Sequence, residues 1–388
     1  MSNEELKPIV LAVDDTPENL DVVKGILSPE YKLKVATSGA AALKIAEKQP
    51  PDIILLDIMM PEMDGYEVCR RLKANPVTAE VPVIFLTAMD QTADEAEGFA
   101  IGAADYIHKP VNPPILKARV KTHVALKKSF DELHSMSVAL TRANERMENE
   151  LNMARDIQLS MLPEETPSYR EVTLRASMIA AREVGGDFYD HFMLNDDELC
   201  FCVADVSGKG VPSALFMAIA KMLIKSRADD DKTPAKILSR ANSELAKDNP
   251  ECMFVTVFLG LINFRTGRVT YTNAGHNPPL IKRASGTVDE VTDLHGPLLG
   301  IQEDWKYTES TIALSEGDVL LVFTDGVTEA MDKEDNLYSD SRLLEKMQEI
   351  GEVSADSVLA AVRDSVSDFA LGAEQSDDIT MISLQYNG

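Results

Sequence analysis

From Leu126 to Leu162 no proline or glycine interrupts the chain, and apolar residues return every seven positions. One seam position takes Leu126, Leu133, Leu140, Met147, Ala154 and Met161, and the alternate one takes Phe130, Ser137, Asn144, Leu151 and Gln158. This repeat predicts a single long helix, rising roughly 1.5 Å per residue and extending over about 50 Å, which cannot bury its own stripe. A second copy of the chain in a parallel, in-register coiled coil is the simplest partner, and Asn144 on the seam favours two strands. Folding back onto the chain's own domains is the alternative. The helix must end at Pro163. The chain is thereby cut into residues 1–125, a connector at 126–163 and residues 164–388, with both flanks of ordinary domain size.

The first flank alternates strand-like and helix-like runs. KPIVLAVDD, KLKVATSG, PDIILLDIMM, VPVIFLTA and ADYIHKP read as strands, with helices at TPENLDVVKGIL and AAALKIAEKQ. That alternation predicts a doubly wound, five-stranded parallel sheet with its site at the carboxyl ends of the strands. Those ends carry Asp14, Asp15, Asp57, Thr87 and Lys109. Three carboxylates from two strands can hold one Mg²⁺, and a hydroxyl and an ammonium beside them suit transfer of a phosphoryl group to a carboxylate.

In this order the residues resemble the receiver domain of CheY-like response regulators, over about Pro8 to Ala125. The resemblance implies that Asp57 is the phospho-acceptor, that Asp15 and the carbonyl of Met59 bind Mg²⁺ directly, and that Asp14 assists through water. It further implies that Thr87 and Lys109 contact the phosphoryl group, that Tyr106 is the aromatic switch and that Lys109–Pro110 is cis. An ordinary half-buried strand aromatic is the other reading of Tyr106. A histidine kinase or a small phosphodonor is the implied source of phosphate.

The last flank carries four aspartates in short motifs: Asp187 in VGGDFYD, Asp205 in VADVSGKG, Asp325 in VFTDGVTEA and Asp377 in SDDIT. Several follow apolar runs such as CFCVAD and VLLVFTD, which carry carboxylates out of a core to one rim. Carboxylates gathered there cannot all stay ionised without counter-charge, and hard divalent cations supply it. GGDFYD, DVSGKGVPSA, NAGHNPP, TDGVTEA and DDIT, in sequence, resemble the PPM (PP2C-like) serine/threonine phosphatases of the SpoIIE/RsbU type, from roughly Arg155 onward. ARDIQLSMLP resembles the helix that enters such domains.

This second resemblance implies an α/β/β/α sandwich with two Mn²⁺ or Mg²⁺ ions. Asp205 would bridge both, the Val206 carbonyl would hold the second, Asp325 and Asp377 would complete the first, and Asp187 would act largely through water. Gly208 and Gly210 would let the main chain come close to a metal, and Pro212 and Ser213 open an apolar helix. His276 reads as a loop-ordering residue rather than a ligand or acid. Arg182 could contact a substrate phosphate or be surface charge, while Glu329 and Asp378 read as supporting residues.

A formal net charge of −26 opposes binding to nucleic acid or to anionic membrane. No secretory signal or membrane-length apolar run is visible, so a cytoplasmic setting is expected. Cys69, Cys200, Cys202 and Cys252 lack zinc-type spacing and read as reduced core residues. The two resemblances together imply a response regulator whose output is a protein phosphatase, acting on a phosphoserine or phosphothreonine regulator such as a STAS-type anti-sigma-factor antagonist. The alternative is an RssB-like adaptor, gated by phosphorylation and binding a sigma factor or its partner without catalysis. Such an adaptor is expected to lack the metal-binding aspartates.

Overall fold

The computed structural model describes residues 7–88, 98–163, 168–247 and 249–388. The expected boundary at Glu164 and the helix end at Asp248 lie outside them. Two compact units divide the chain, Met1–Glu145 and Arg146–Gly388.

In the first unit, strands β1 (Ile9–Val13), β2 (Lys32–Ala36), β3 (Ile53–Asp57), β4 (Val83–Thr87) and β5 (Asp105–His108) form a parallel sheet in the order β2-β1-β3-β4-β5. Buried on both faces, β3 and β4 are continuous apolar runs, as a covered parallel sheet requires. Alternate residues serve opposite cores. Ile54 and Leu56 pack with Val68 and Leu72 of α3 (Gly65–Ala74) and Ala42 and Ala46 of α2 (Gly39–Lys48). Ile53 and Leu55 pack with Leu20, Val23 and Leu27 of α1 (Pro17–Leu27) and with Leu116 and Val120. The side chains of Ser38 and Asp64 cap α2 and α3 by accepting from Ala41 and Glu67 N–H groups.

Leu116 and Val120 belong to α4, one helix from Pro113 to Met161. It begins well before Leu126, so the last receiver helix and the connector are a single element. Prolines at 113 and 114 fit a first helical turn, where an N–H has no partner to lose. Leu126, Leu133, Leu140 and Met147 are between 60 and 68% exposed, so these four seam positions are uncovered among the described residues. Gln158 departs from the expected seam: it is 6% exposed and packed against the second unit's own main chain.

The second unit has four layers. One sheet has the order β13-β10-β9-β8-β7 and the other β12-β11-β14-β15-β6, with every pairing antiparallel. The strands are β6 (Val172–Ile179), β7 (Phe188–Asn195), β8 (Glu198–Val206), β9 (Val255–Asn263), β10 (Arg268–Ala274), β11 (Leu280–Lys282), β12 (Val288–Glu290), β13 (Ser310–Ala313), β14 (Val319–Phe323) and β15 (Ile379–Tyr386). Between the sheets lie Leu199, Phe201 and Val203 of β8 against Leu320, Val322, Ile382 and Leu384. Cys200, Cys202 and Ala204 point the other way, onto α5 (Val211–Asp230) and α6 (Pro234–Lys247). Helices α7 (Ser339–Glu349) and α8 (Ala355–Phe369) cover the opposite face through Leu343, Met347, Val358 and Val362. This is the α/β/β/α sandwich.

Candidate functional site

At the carboxyl edge of the parallel sheet, β1 and β3 are adjacent while their connections leave to opposite sides, which opens a crevice between their ends. Asp14, Asp15 and Asp57 meet there, each offering an oxygen within 4.8 Å of the others. Asp14 and Asp57 are 1 and 6% exposed. Lys109, delivered from the end of β5, places Nζ 2.8 Å from Asp14 Oδ2 and 2.8 Å from Asp57 Oδ1. Desolvation alone would lower the lysine's pKa, but its hydrogen bonds to Asp14 and Asp57 outweigh it and the net shift is upward. Burial raises the Asp57 carboxyl, with Lys109 working against it. Asn19 Nδ2 and the Thr16 N–H fix Asp14 at 2.9–3.1 Å.

Thr87 sits at the end of β4, beside Asp57 in register through Leu86. Tyr106 is 5% exposed and packs on Phe85 and Phe99, with centroids 5.4 and 5.0 Å apart. The Met59 side chain is 70% exposed, and Lys109–Pro110 is cis.

In the sandwich, antiparallel pairing fixes the second acidic group. Phe188 faces Ala204 in register, so Asp187 and Asp205 lie opposite each other at one end of β7 and β8. Phe323 faces Met381, so Asp325 and Asp377 flank the same end of β14 and β15. On β8, Asp205 shares the parity of Phe201 and Val203 and emerges at the rim between the sheets. Burial first, then Asp325 and Asp377, push the Asp205 carboxyl up to about 7, while a hydrogen bond with Asp187 works the other way. Asp187, buried beside Asp205 and Asp378, lies well above the usual carboxylate range. Asp325 is raised by burial, then by Glu329 and Asp377. Among the described residues only the receiver triad brings three carboxylates within 4.8 Å, so this second set is looser.

The Val206 carbonyl accepts from Ser213 Oγ at 3.2 Å, which uses one of its two lone pairs. Gly208 and Gly210 have φ of 86° and 81° with open space where a Cβ would be, so a backbone turn, not close approach, selects glycine there. His276 is neutral, its pKa lowered by burial to about 3. It joins Thr256 at 2.9 Å and is bracketed by Asn273, an ordering role. Arg182 is exposed and forms no ion pair among the described residues.

Residues 10–121 match the model for the response regulator receiver domain, and residues 195–387 match that for stage II sporulation protein E (SpoIIE). The chain joins a receiver domain to a SpoIIE-family domain. Phosphoserine phosphatase RsbU of Bacillus subtilis is 28% identical over 245 residues, 62% of this chain and 71% of that protein. A probable cyclic di-GMP phosphodiesterase of Vibrio cholerae is 45% identical over 157 residues, 40% of this chain and 36% of that one. The SiaA-PP2C domain of Pseudomonas aeruginosa shares the fold at a TM-score of 0.56 and 21% identity, over 63% of this chain and 98% of that domain. The chain spans 36, 42 and 28% of the length of the first curated relatives it matches.

Further residues of the SpoIIE-family domain hold this group in place, and Asp378 has the supporting role expected of it. Asp378 is a main-chain anchor: its carboxylate accepts from the N–H groups of Ala181, Gly186 and Asp187 at 2.8, 2.7 and 3.3 Å. Thr324 Oγ1 donates to Asp187 Oδ2 at 2.8 Å. A Cβ on Gly326 would lie 1.9 Å from the Asp378 carbonyl oxygen, which rules out any side chain there. Lys209 pairs with Asp377 at 3.0 Å and donates to the Ser376 carbonyl at 2.5 Å. All four lie in motifs quoted above, but of them only Asp378 has a role read from the sequence. The others depend on which loops the sandwich brings together.

Among the described residues, no helix is long and apolar enough to cross a membrane.

Proposed function

We propose that this chain is a two-component response regulator in which phosphorylation of Asp57 controls a metal-dependent protein serine/threonine phosphatase. The observation that carries the enzymatic half is the antiparallel pairing that brings Asp187 and Asp205, and Asp325 and Asp377, to one end of the two sheets with the exposed Lys209 as nearby counter-charge. The donors are all hard oxygens, which fits Mn²⁺ or Mg²⁺. Asp205, the Val206 carbonyl, Asp325 and Asp377 would hold the two ions, and Asp187 would act largely through water. Two such ions supply an ionised water at neutral pH and offset charge on a phosphate ester. The chain itself orients: Asp378 and Thr324 hold Asp187, and the β14–β15 pairing holds Asp325 beside Asp377. The similarity to RsbU, named for phosphoserine, supports a phosphoserine or phosphothreonine protein substrate of the STAS-type antagonist class. Retention of all four aspartates favours catalysis over the adaptor reading.

At the receiver, Asp57 takes the phosphoryl group from a histidine kinase or small phosphodonor, with Mg²⁺ held by Asp14, Asp15, Asp57 and the Met59 carbonyl. Lys109 and Thr87 stand ready for the new charge, and Tyr106 is the switch. The exposed stripe of α4 supports a homodimeric coiled coil, with the receiver at residues 1–125, the connector at 126–163 and the phosphatase at 164–388. A hundredfold change in activity needs only about 2.7 kcal/mol of coupling between sites. The test is Mn²⁺-dependent release of phosphate from a phosphoprotein. Asp205→Asn should abolish it, and an unchanged rate would remove the site from consideration.

A further inference from the structure

The end of α4 reaches the loop just before Asp187 through Gln158. Gln158 is 6% exposed, and its amide makes both of its available kinds of bond to a single residue. Nε2 donates to the Gly185 carbonyl at 2.6 Å, and Oε1 accepts from the Gly185 N–H at 3.1 Å. Gly185 precedes β7 and has no strand partner, so this amide stands in for a ladder. Asparagine has the same chemistry but a shorter reach, and no other neutral side chain both donates and accepts in this way.

What Gln158 grips is a short strap, Gly185–Gly186–Asp187. Its middle N–H donates to Asp378 Oδ2 at 2.7 Å, and its far end, Asp187, receives Thr324 Oγ1 at 2.8 Å. The strap lies so close to β8 and α5 that a Cβ on Gly186 would be 2.8 Å from the Val206 carbonyl and 2.2 Å from Ser213 Oγ. Strap, Val206 carbonyl and Asp187 therefore move together or not at all. A shift of α4 along its axis by one residue, about 1.5 Å, would break both bonds to Gly185 and leave its N–H and C=O buried without partners.

We propose that Gln158 is a positioning residue for the acidic centre. It sets the strap so that Asp187 and the Val206 carbonyl stand where a second divalent cation needs them, and loss of its grip weakens that cation's binding. This rests on the metal-dependent reading above and adds to it the residue through which α4 acts.

The test uses the full-length chain. Gln158→Met preserves bulk and helix propensity but neither hydrogen bond, and Gln158→Ala removes the side chain. Mn²⁺ binding measured by calorimetry should weaken roughly tenfold in both, the size expected for one net neutral hydrogen bond. The rate at saturating Mn²⁺ should stay within about twofold of the unaltered chain. A purely structural role predicts the opposite split, a lower melting temperature in EDTA with Mn²⁺ affinity unchanged, and that result overturns the proposal. Should the variants not fold, hydrogen exchange on the unaltered chain decides. By reciprocity, Mn²⁺ must slow exchange in residues 154–161 as well as 184–190, and protection confined to 184–190 refutes the grip. If the unaltered chain binds no Mn²⁺ at all, the metal-dependent reading fails first and this inference with it.

Discussion

Replacing Asp205 by asparagine should make the metal-free protein more stable at alkaline pH while destroying its response to metal. The Asp205 carboxyl is pushed up to about 7 in the fold, against 3.8 ordinarily. Between those values the folded chain holds a proton that the unfolded chain has released, so this group's contribution is intact below about pH 4 and is lost as pH rises to about 7. From pH 5 to pH 8 the loss has a ceiling on the order of 3 kcal/mol, about two units at 1.36 kcal/mol each. Water reaching the half-open rim reduces this to about 1–2 kcal/mol. For a unit the size of Arg146–Gly388 this corresponds to about 3–6 °C in melting temperature. Asparagine carries no charge at any pH, so the melting temperature of Asp205→Asn minus that of the unaltered chain, both in EDTA, should rise by that amount between pH 5 and pH 8. Mn²⁺ should then raise the melting temperature of the unaltered chain, more at pH 8 than at pH 5, and leave the variant where it was. A difference that stays constant with pH, or an equal Mn²⁺ shift in both proteins, would show that these carboxylates are not crowded as described.

In the receiver, Lys109→Ala leaves Asp14 and Asp57 buried and facing each other. Unfolding of that domain in urea should show a loss of about 1–3 kcal/mol, below the full cost of breaking a buried pair because Lys109 is 25% exposed. Mg²⁺ should restore part of the loss, and a variant as stable as the unaltered protein would count against a bridging lysine. On α4, Leu133→Lys combined with Leu140→Lys puts two like charges on the proposed seam. Sedimentation should show a dimer for the unaltered chain and a monomer for the variant at equal concentration, and a monomer in both cases would eliminate the coiled coil.

The receiver was legible because a covered parallel sheet writes its strands as unbroken apolar runs and leaves its chemistry at their ends. Val13 closes β1 just before Asp14, and Asp57 and Thr87 close β3 and β4. Helix α3 was passed over, although Asp64 and Glu67 mark its start, because PEMDG reads first as a loop. In the sandwich, β8 and β14 were clear from the apolar runs CFCVAD and VLLVFTD. Strand β7 was hidden inside the GGDFYD motif, and β11, β12 and β13 are too short to show a period. The four expected aspartates lie at one rim, and Asp378 was read as a supporting residue, but the contacts by which that support is given could not be read in advance. Asp378 grips a loop nearly two hundred positions away, and Gln158 looked like one more seam residue until its amide was seen on Gly185.

The two acidic groups differ in where their counter-charge comes from, and that difference bears on how each unit can be switched. In the receiver, Lys109 lies 2.8 Å from two of three carboxylates and is itself three-quarters buried, so the fold carries its own cation. Among the described residues of the SpoIIE-family domain, the lysine beside Asp187, Asp205, Asp325, Asp377 and Asp378 is Lys209, which of these carboxylates pairs with Asp377 and is 41% exposed. An exposed ammonium is worth little against buried carboxylates. Burial and like charge therefore make Asp187, Asp205 and Asp325 hold protons more tightly than ordinary carboxylates, and on the proposed reading divalent cations would compete with those protons. A site balanced between protons and metal can be tuned by a single helix end, whereas one neutralised by its own lysine cannot. The strap beneath Gln158 lies at the tunable site, and so control exerted through α4 is best placed there.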